Sequence, residues 1–281
     1  MITANKIPFG LWCKAIVDWM KENLEWFFDI VTFVIKGIVD GTSGSLLAMP
    51  SLVFIVGIAA LAFALQRSWK LVIFTILGLL LVLNFGLWKE TIETLVLVLY
   101  STFASLLIGV PIGILASRRP WVYQAMSPVL DLMQTLPTLV YLVPVLFFFG
   151  LGFVPGLVAT VIFVVPAPIR LTYLGISQVQ KPLIEAGESF GCTRWQLLVK
   201  VKLPAAMPTI MAGVNQTIML SLSMVVIAAM VGANGLGKPV LRALAQANVP
   251  LGAESGLAIV ILAIILDRML KYRQRVDHSK R

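Results

Sequence analysis

QVQKPLIEAGESFGCTRWQLLVKVKLPAAMP, residues 178–208, is the longest polar interval between apolar spans in the C-terminal two-thirds of the chain, and it reads as two short helices joined at a glycine. Pro182 can open the first helix, because a missing N–H costs nothing in the first turn, and Gly191 can close it by turning left-handed. Thr193 then offers a hydroxyl N-cap, with Gln196 three residues on to complete a capping box. Pro204 and Pro208 are expected to stop the second helix before the next apolar span. A rigid, water-exposed helical elbow between membrane helices suits docking to another protein.

The rest of the chain explains why that interval stands out. Of 281 residues, 59% are hydrophobic and only 12% charged, against about a quarter charged in a soluble protein. This is an all-α, polytopic membrane helix bundle in the lipid bilayer. The net charge of +9 does not imply nucleic acid, because the basic residues fall in short loops and the tail, where they set membrane orientation. Cys13 and Cys192 lie on opposite sides in the topology below, so they are expected to stay free thiols. MITANKIPFG lacks the charge-then-apolar order of a cleavable signal peptide.

Residues 11–36 place Lys14, Asp18, Lys21, Glu22, Glu25, Asp29, Thr32 and Lys36 on one narrow helical stripe, with Trp12, Trp19, Trp26 and Phe27 on the remaining face. The pattern predicts an amphipathic helix that lies in the membrane interface, packs on the bundle, or does both. Gly41-Thr42-Ser43-Gly44-Ser45 is expected to end it. About seven spans follow, at 46–65, 70–88, 92–116, 131–151, 154–175, 207–232 and 255–270. Pro111, Pro137, Pro144, Pro166 and Pro168 mark bent helices, and Gly109 with Gly113 forms a GxxxG suited to close helix approach.

With the elbow in the cytoplasm, 15 of the 22 Lys and Arg also lie there: Arg67, Lys70, Arg118, Arg119, Arg170, Lys181, Arg194, Lys200, Lys202 and six from Arg268 to Arg281. The N-terminus is then outside and the C-terminus cytoplasmic.

The search for catalytic groups returns mainly absences. The single histidine, His278, sits in the basic tail, so neither a histidine-based triad nor a histidine-rich metal site can be built, and no metal ligation is expected. Gly232 to Lys238 fits GxxxxGK but ends on Pro239, which has no hydroxyl for magnesium, and it follows a membrane helix instead of a strand. The chain is therefore expected to be no enzyme and to bind no cofactor. Asp131 and Asp267 lie near cytoplasmic span ends and read as capping or interfacial charges, which weakens a proton-coupled carrier. Gln134, Thr135, Pro137, Tyr141, Asn215, Gln216, Thr217, Ser221 and Ser223 are candidates to line a translocation path; hydrogen bonding between helices is the alternative for each.

Glu185-Ala186-Gly187, Gly191 and Val201-Lys202-Leu203-Pro204 resemble the EAA loop of permease subunits in ATP-binding-cassette (ABC) importers. That loop reads Glu-Ala-Ala, then Gly four residues after the last Ala, then Ile-x-Leu-Pro ten residues further on; Gly187 and Val201 depart from it. Residues 130–144, 203–237 and 257–268 resemble the permeases that import glycine betaine, proline betaine or choline. The resemblance implies a type I permease core of five helices over 91–270, with a coupling loop at 178–206. An external segment (1–45) and two extra helices (46–90) precede it, and a tail (271–281) follows. It further implies a bacterial plasma-membrane location, a second copy of the chain, a separate ATPase subunit that uses ATP and magnesium, and an external substrate-binding protein. Pro182 to Phe190 would then be the coupling helix: Leu183, Ile184, Ala186, Gly187 and Phe190 supply apolar contacts to the ATPase, Glu185 a polar anchor, and Gly191, Leu203 and Pro204 the frame. The alternatives are an ABC permease for another small solute such as an amino acid, or an ion-coupled secondary carrier.

Overall fold

The computed structural model describes residues 9–270, and the regular elements among them are all helices. Residues 1–8 and the predicted basic tail 271–281, with His278, lie outside the described residues. In chain order the helices are α1 (Phe9–Ala48), α2 (Ser51–Gln66), α3 (Trp69–Asn84), α4 (Trp88–Arg118), α5 (Pro120–Thr135), α6 (Thr138–Phe149), α7 (Phe153–Val164), α8 (Pro166–Ser177) and α9 (Lys181–Ser189). A short α10 (Arg194–Gln196) and a π-helical stretch (Leu197–Lys202) lead into α11 (Leu203–Ser223), followed by α12 (Val225–Met230), α13 (Gly237–Ala245) and α14 (Val249–Leu270).

At the centre lies α8, pressed between α4 and α11. A Cβ on Gly109 would stand 2.6 Å from Pro168 Cγ, and one on Gly113 2.8 Å from the Ile169 carbonyl oxygen, so the GxxxG of α4 is the contact with α8. On the other side, a Cβ at Gly175 of α8 would meet Thr209 Cβ at 3.0 Å, and one at Gly213 of α11 would meet Leu171 Cβ at 3.1 Å. In a bilayer, where apolar contact between helices carries no hydrophobic driving force, such small-residue seams let backbones approach and dispersion contacts accumulate.

Several expectations are corrected. Of the seven expected spans, those near 46–65 and 70–88 form α2 and α3, 16 residues each and about 24 Å long, shorter than the ~30 Å hydrocarbon core. They make a hairpin that turns at Arg67 (φ +47°) and packs on α14, where a Cβ at Gly78 would lie 2.7 Å from Ile261 Cγ2. The expected span 131–151 is a broken element: α5 and α6 meet at 97°, because Leu136 before Pro137 is forced out of the helical region. Among the described residues five helices are long and apolar enough to cross a membrane, or six with the bent pair counted as one span.

Nor does the expected break at Gly41–Ser45 end α1. The Thr42, Ser43 and Ser45 hydroxyls donate back to the carbonyls of Ile38, Val39 and Gly41, and the helix runs on to Ala48. Phe28 stacks on Phe148 at 4.5 Å, and Val39 packs with Val96 and Leu157. These partners belong to one end of the bundle: the loop 231–236 joins it by hydrogen bonds from Gly152 N–H to the Val231 carbonyl (2.9 Å) and from Leu236 N–H to Thr94 Oγ1 (2.8 Å). The helix α1 therefore packs on the bundle, beside α6 in its first half and against α4 and α7 beyond.

Gly113→Val places branched carbons against the Ile169 carbonyl and Thr172. Overpacking of this kind costs roughly 1–3 kcal/mol, so the detergent-purified variant is expected to melt several degrees below the wild type by tryptophan fluorescence. An unchanged melting temperature would show that α4 does not need the close seam.

Candidate functional site

The elbow joins α8 to α11, and its local order follows from a few residues. Pro182 occupies the first turn of α9, and Gly191 (φ +74°) ends it: Gly191 N–H donates to the Glu188 carbonyl (2.9 Å) and Cys192 N–H to the Gly187 carbonyl (3.1 Å). This paired 5→2 and 6→1 closure absorbs carbonyls that the helix end would leave bare. Thr193 then starts the next helix through the expected capping box, with Gln196 N–H to Thr193 Oγ1 at 3.3 Å and Thr193 N–H to Gln196 Oε1 at 2.9 Å. A left-handed glycine followed at once by a reciprocal cap makes a corner with little slack.

Past that corner the structure departs from two expectations. The prolines do not stop the second helix: Arg194 to Met230 is one long helical run. The π stretch ends at Lys202, Pro204 falls in the first turn of α11, and Pro208 is carried inside α11. A π stretch resets the hydrogen-bond register, which lets the missing proline donors be accommodated without ending the element. Gly187 is also not an outward contact. It is the buried residue of α9, where a Cβ would lie 2.7 Å from Leu197 Cδ1 and 3.3 Å from Val201 Cγ2, so its smallness serves the fold of the elbow on itself.

The outward face of α9 carries Leu183, Glu185 and Ala186, with Ile184 half-buried, and ends at Phe190, which is 89% exposed. Behind it Leu203 joins Ile176, Leu198, Ala206 and Ile210 in a small apolar cluster, while Pro204 is exposed. Beside the elbow a cleft of about 620 Å³ is lined by Arg118 and Arg119 from the end of α4 and by Arg194, Lys202 and Glu188. The Arg118 guanidinium lies 5.1 Å over the Trp195 ring, so the end of α4 also bears on the elbow. An exposed aromatic and aliphatic ridge flanked by cations has the chemistry of a docking surface.

The candidate path residues divide. Gln134, Thr135 and Pro137 are exposed around the α5–α6 break, and Gln216 and Ser223 share an exposed stripe of α11 with Ala212 and Met219. Asn215 is half-buried, its Oδ1 without a partner among the described residues. Tyr141, Thr217 and Ser221 are enclosed within the chain, so they do not line an open surface of it. Thr217 spends its hydroxyl on the Gly213 carbonyl (2.7 Å), and Ser221 accepts from Thr102 of α4 (3.4 Å). Of the aromatic residues, Tyr173 stacks on Tyr123 with centroids 3.7 Å apart, and Phe148 is covered by Phe28.

One pairing was not anticipated from the sequence. Asp131 of α5 is not a helix cap: its Oδ1 lies 2.5 Å from Arg170 Nη2 on α8. Arg170, counted among the basic residues of the cytoplasmic side, sits within α8. The two are 39 residues apart, and only the α5–α8 contact brings them together. The GxxxxGK segment likewise serves packing, since Leu236 N–H is taken by Thr94 and the Lys238 amine is bonded to the Asn234 side chain.

The glycine betaine/carnitine transport permease protein GbuB of Listeria monocytogenes is 47% identical over 266 residues, 94% of each chain. The glycine betaine transport system permease protein OpuAB of Bacillus subtilis is 48% identical over 264 residues, 94% of this chain and 93% of that one. The glycine betaine/proline betaine permease ProW of Escherichia coli is 44% identical over 274 residues, 98% of this chain and 77% of that one. Among solved structures, an inward-facing form of the MetNI methionine ABC transporter matches with TM-score 0.58 and 24% identity over 65% of this chain and 94% of its own, a likeness of fold. Residues 109–274 match the family model described as the binding-protein-dependent transport system inner membrane component, and the chain belongs to that family of multi-pass inner-membrane permeases.

Proposed function

We propose that the chain is the membrane-spanning subunit of an ATP-driven importer for quaternary ammonium compatible solutes, glycine betaine, proline betaine or choline among them. The observation that carries the reading is the elbow. It is a nine-residue helix locked at Gly191, with Leu183, Glu185, Ala186 and Phe190 presented outward and Gly187 turned inward. A separate ATPase subunit would grip this ridge, bind ATP and magnesium, and do the hydrolysis; a binding protein would deliver solute at the other end. Two copies of the chain would enclose the path between exposed faces such as the Gln216–Ser223 stripe. The names of the relatives support the substrate class. The elbow then lies in the cytoplasm, with the N-terminus outside and the C-terminus inside. The division into an external segment (1–45), two added helices (46–90), a core (91–270) and a tail (271–281) belongs to the same reading.

The mechanics follow from how the elbow is anchored. Only residues 178–180 separate α8 from α9, and α10 with the π stretch runs unbroken into α11. The glycine seams between α8 and α11 make the two helices one body, so a pull on α9 moves both together. The α5–α6 break at Pro137 is the joint where that body can move against the rest.

Gly191→Val forces a branched side chain into a left-handed backbone, at about 1–2 kcal/mol. The expected outcome is normal insertion and loss of solute-stimulated ATP hydrolysis. Phe190→Asp removes an exposed aromatic anchor, worth 2 kcal/mol or more at such surfaces, hence about thirtyfold weaker ATPase retention on an affinity column. Uptake at the wild-type rate in both variants would sink the coupling role. With the native cysteines replaced, a membrane-impermeant thiol reagent is expected to label a cysteine at position 190 only in inverted vesicles. Labelling from outside intact cells would overturn the orientation.

A further inference from the structure

Charged side chains inside an apolar span are costly and are kept where they serve a site. Arg170 is such a residue: it lies seven residues before the end of α8, about 10 Å along the axis from the elbow end. Its contact with Asp131 is partial. One bond, Nη2 to Oδ1 at 2.5 Å, joins the two, and the side chains remain 32% and 59% exposed. Arg170 Nε is buried and has no acceptor among the described residues. A pair that served only to hold two helices would favour the two-pronged arginine–carboxylate geometry, with Nε engaged. Here a donor is left unspent on the arginine, and much of the carboxylate faces open space.

An aromatic stack joins the same two helices. Tyr173 is three residues beyond Arg170 on α8, one turn nearer the elbow, and Tyr123 is about 12 Å before Asp131 along α5; their rings stack at 3.7 Å and 6°. Gln134, one turn after Asp131, is exposed on the same side of α5. A fixed cation with a free N–H, a fixed carboxylate and aromatic surface therefore stand together at the contact between the hinged helix α5 and the clamped helix α8.

We propose that Asp131 and Arg170 are a binding site for a small zwitterion bearing a quaternary ammonium and a carboxylate, which enters by exchanging with their internal ion pair. The ligand carboxylate takes the exposed Nη side of the Arg170 guanidinium in place of Asp131. The ammonium, which has no hydrogen to donate, rests against Asp131 and the tyrosine faces. Each charge keeps a partner before and after the exchange, so neither is left alone within the apolar spans while the solute passes. In the empty protein the pair holds α5 to α8; occupancy transfers that hold to the ligand, which links the solute to the joint at Pro137.

This assignment rests on the transport reading above, and its test is separable from it. Saturation-transfer NMR on the detergent-solubilised permease–ATPase assembly, without binding protein, reads the N-methyl signal of glycine betaine directly. Glycine betaine is expected to bind the wild type. Choline, which lacks the carboxylate, should compete much more weakly than glycine betaine at equal concentration. Arg170→Gln and Asp131→Asn should each weaken binding at least tenfold in assemblies that remain monodisperse. Arg170→Lys, which keeps a cation beside Asp131 but no planar guanidinium fork, should weaken it as much. Equal competition by choline, wild-type affinity in Arg170→Lys, or absence of a betaine signal while the complete reconstituted system imports betaine would each overturn the site and leave the transport reading standing. Failure of the complete wild-type system to import betaine would instead remove the transport reading itself.

Discussion

The bundle depends on how closely α8 can approach its neighbours. Gly109 and Gly113 admit it on the α4 side, and Gly175 and Gly213 on the α11 side, with would-be Cβ contacts from 2.6 to 3.1 Å. Contacts of that kind cannot loosen by degrees, because a small outward shift forfeits a large share of the dispersion energy along the seam. The three helices consequently behave as one body, and whatever extends from its end is positioned by it. That end carries the elbow.

Rigidity at the core makes the position of the weak elements informative. The broken α5–α6 element holds Leu130 as its only buried residue on α5, and it is bent through 97° at a proline. It touches the clamped body through an ion pair, a ring stack and one small apolar cluster, in which Leu130 meets Ile112, Val165 and Ile169. A stiff lever next to a hinged plate suits alternating access, since motion imposed at the elbow is passed on undamped and is spent where the backbone has already given up its hydrogen bonds.

Much of this could be read from local chemistry. The corner at Gly191, the Thr193–Gln196 cap and the opening proline of α9 each depend on residues within a few positions of one another, and each stands in the structure as expected. The GxxxG of α4 was legible as a packing motif, though not its partner on α8. Expectations failed where a nearby group supplied what a breaker removes. Serine and threonine hydroxyls bonding back to the i−4 carbonyls carried α1 through two glycines, and a π stretch carried the helix past Pro204 and Pro208. From the sequence Gly187 is an apolar contact for a partner, whereas in the structure Leu197 and Val201, ten and fourteen residues downstream, occupy the space beside it.

The sequence by itself determined the membrane class, the existence and corner chemistry of the elbow, and the kinship to permeases, because hydropathy, capping and left-handed glycine act over a single turn or a single span. Tertiary structure alone decided that Arg170 meets Asp131, that Tyr173 meets Tyr123, and that Thr217 and Ser221 turn into the chain while Gln216 and Ser223 turn out. The physical reason is rotation. Which side of a nearly uniformly apolar helix faces inward is set by the small-residue seams of its neighbours, and those seams exist only once the helices have met.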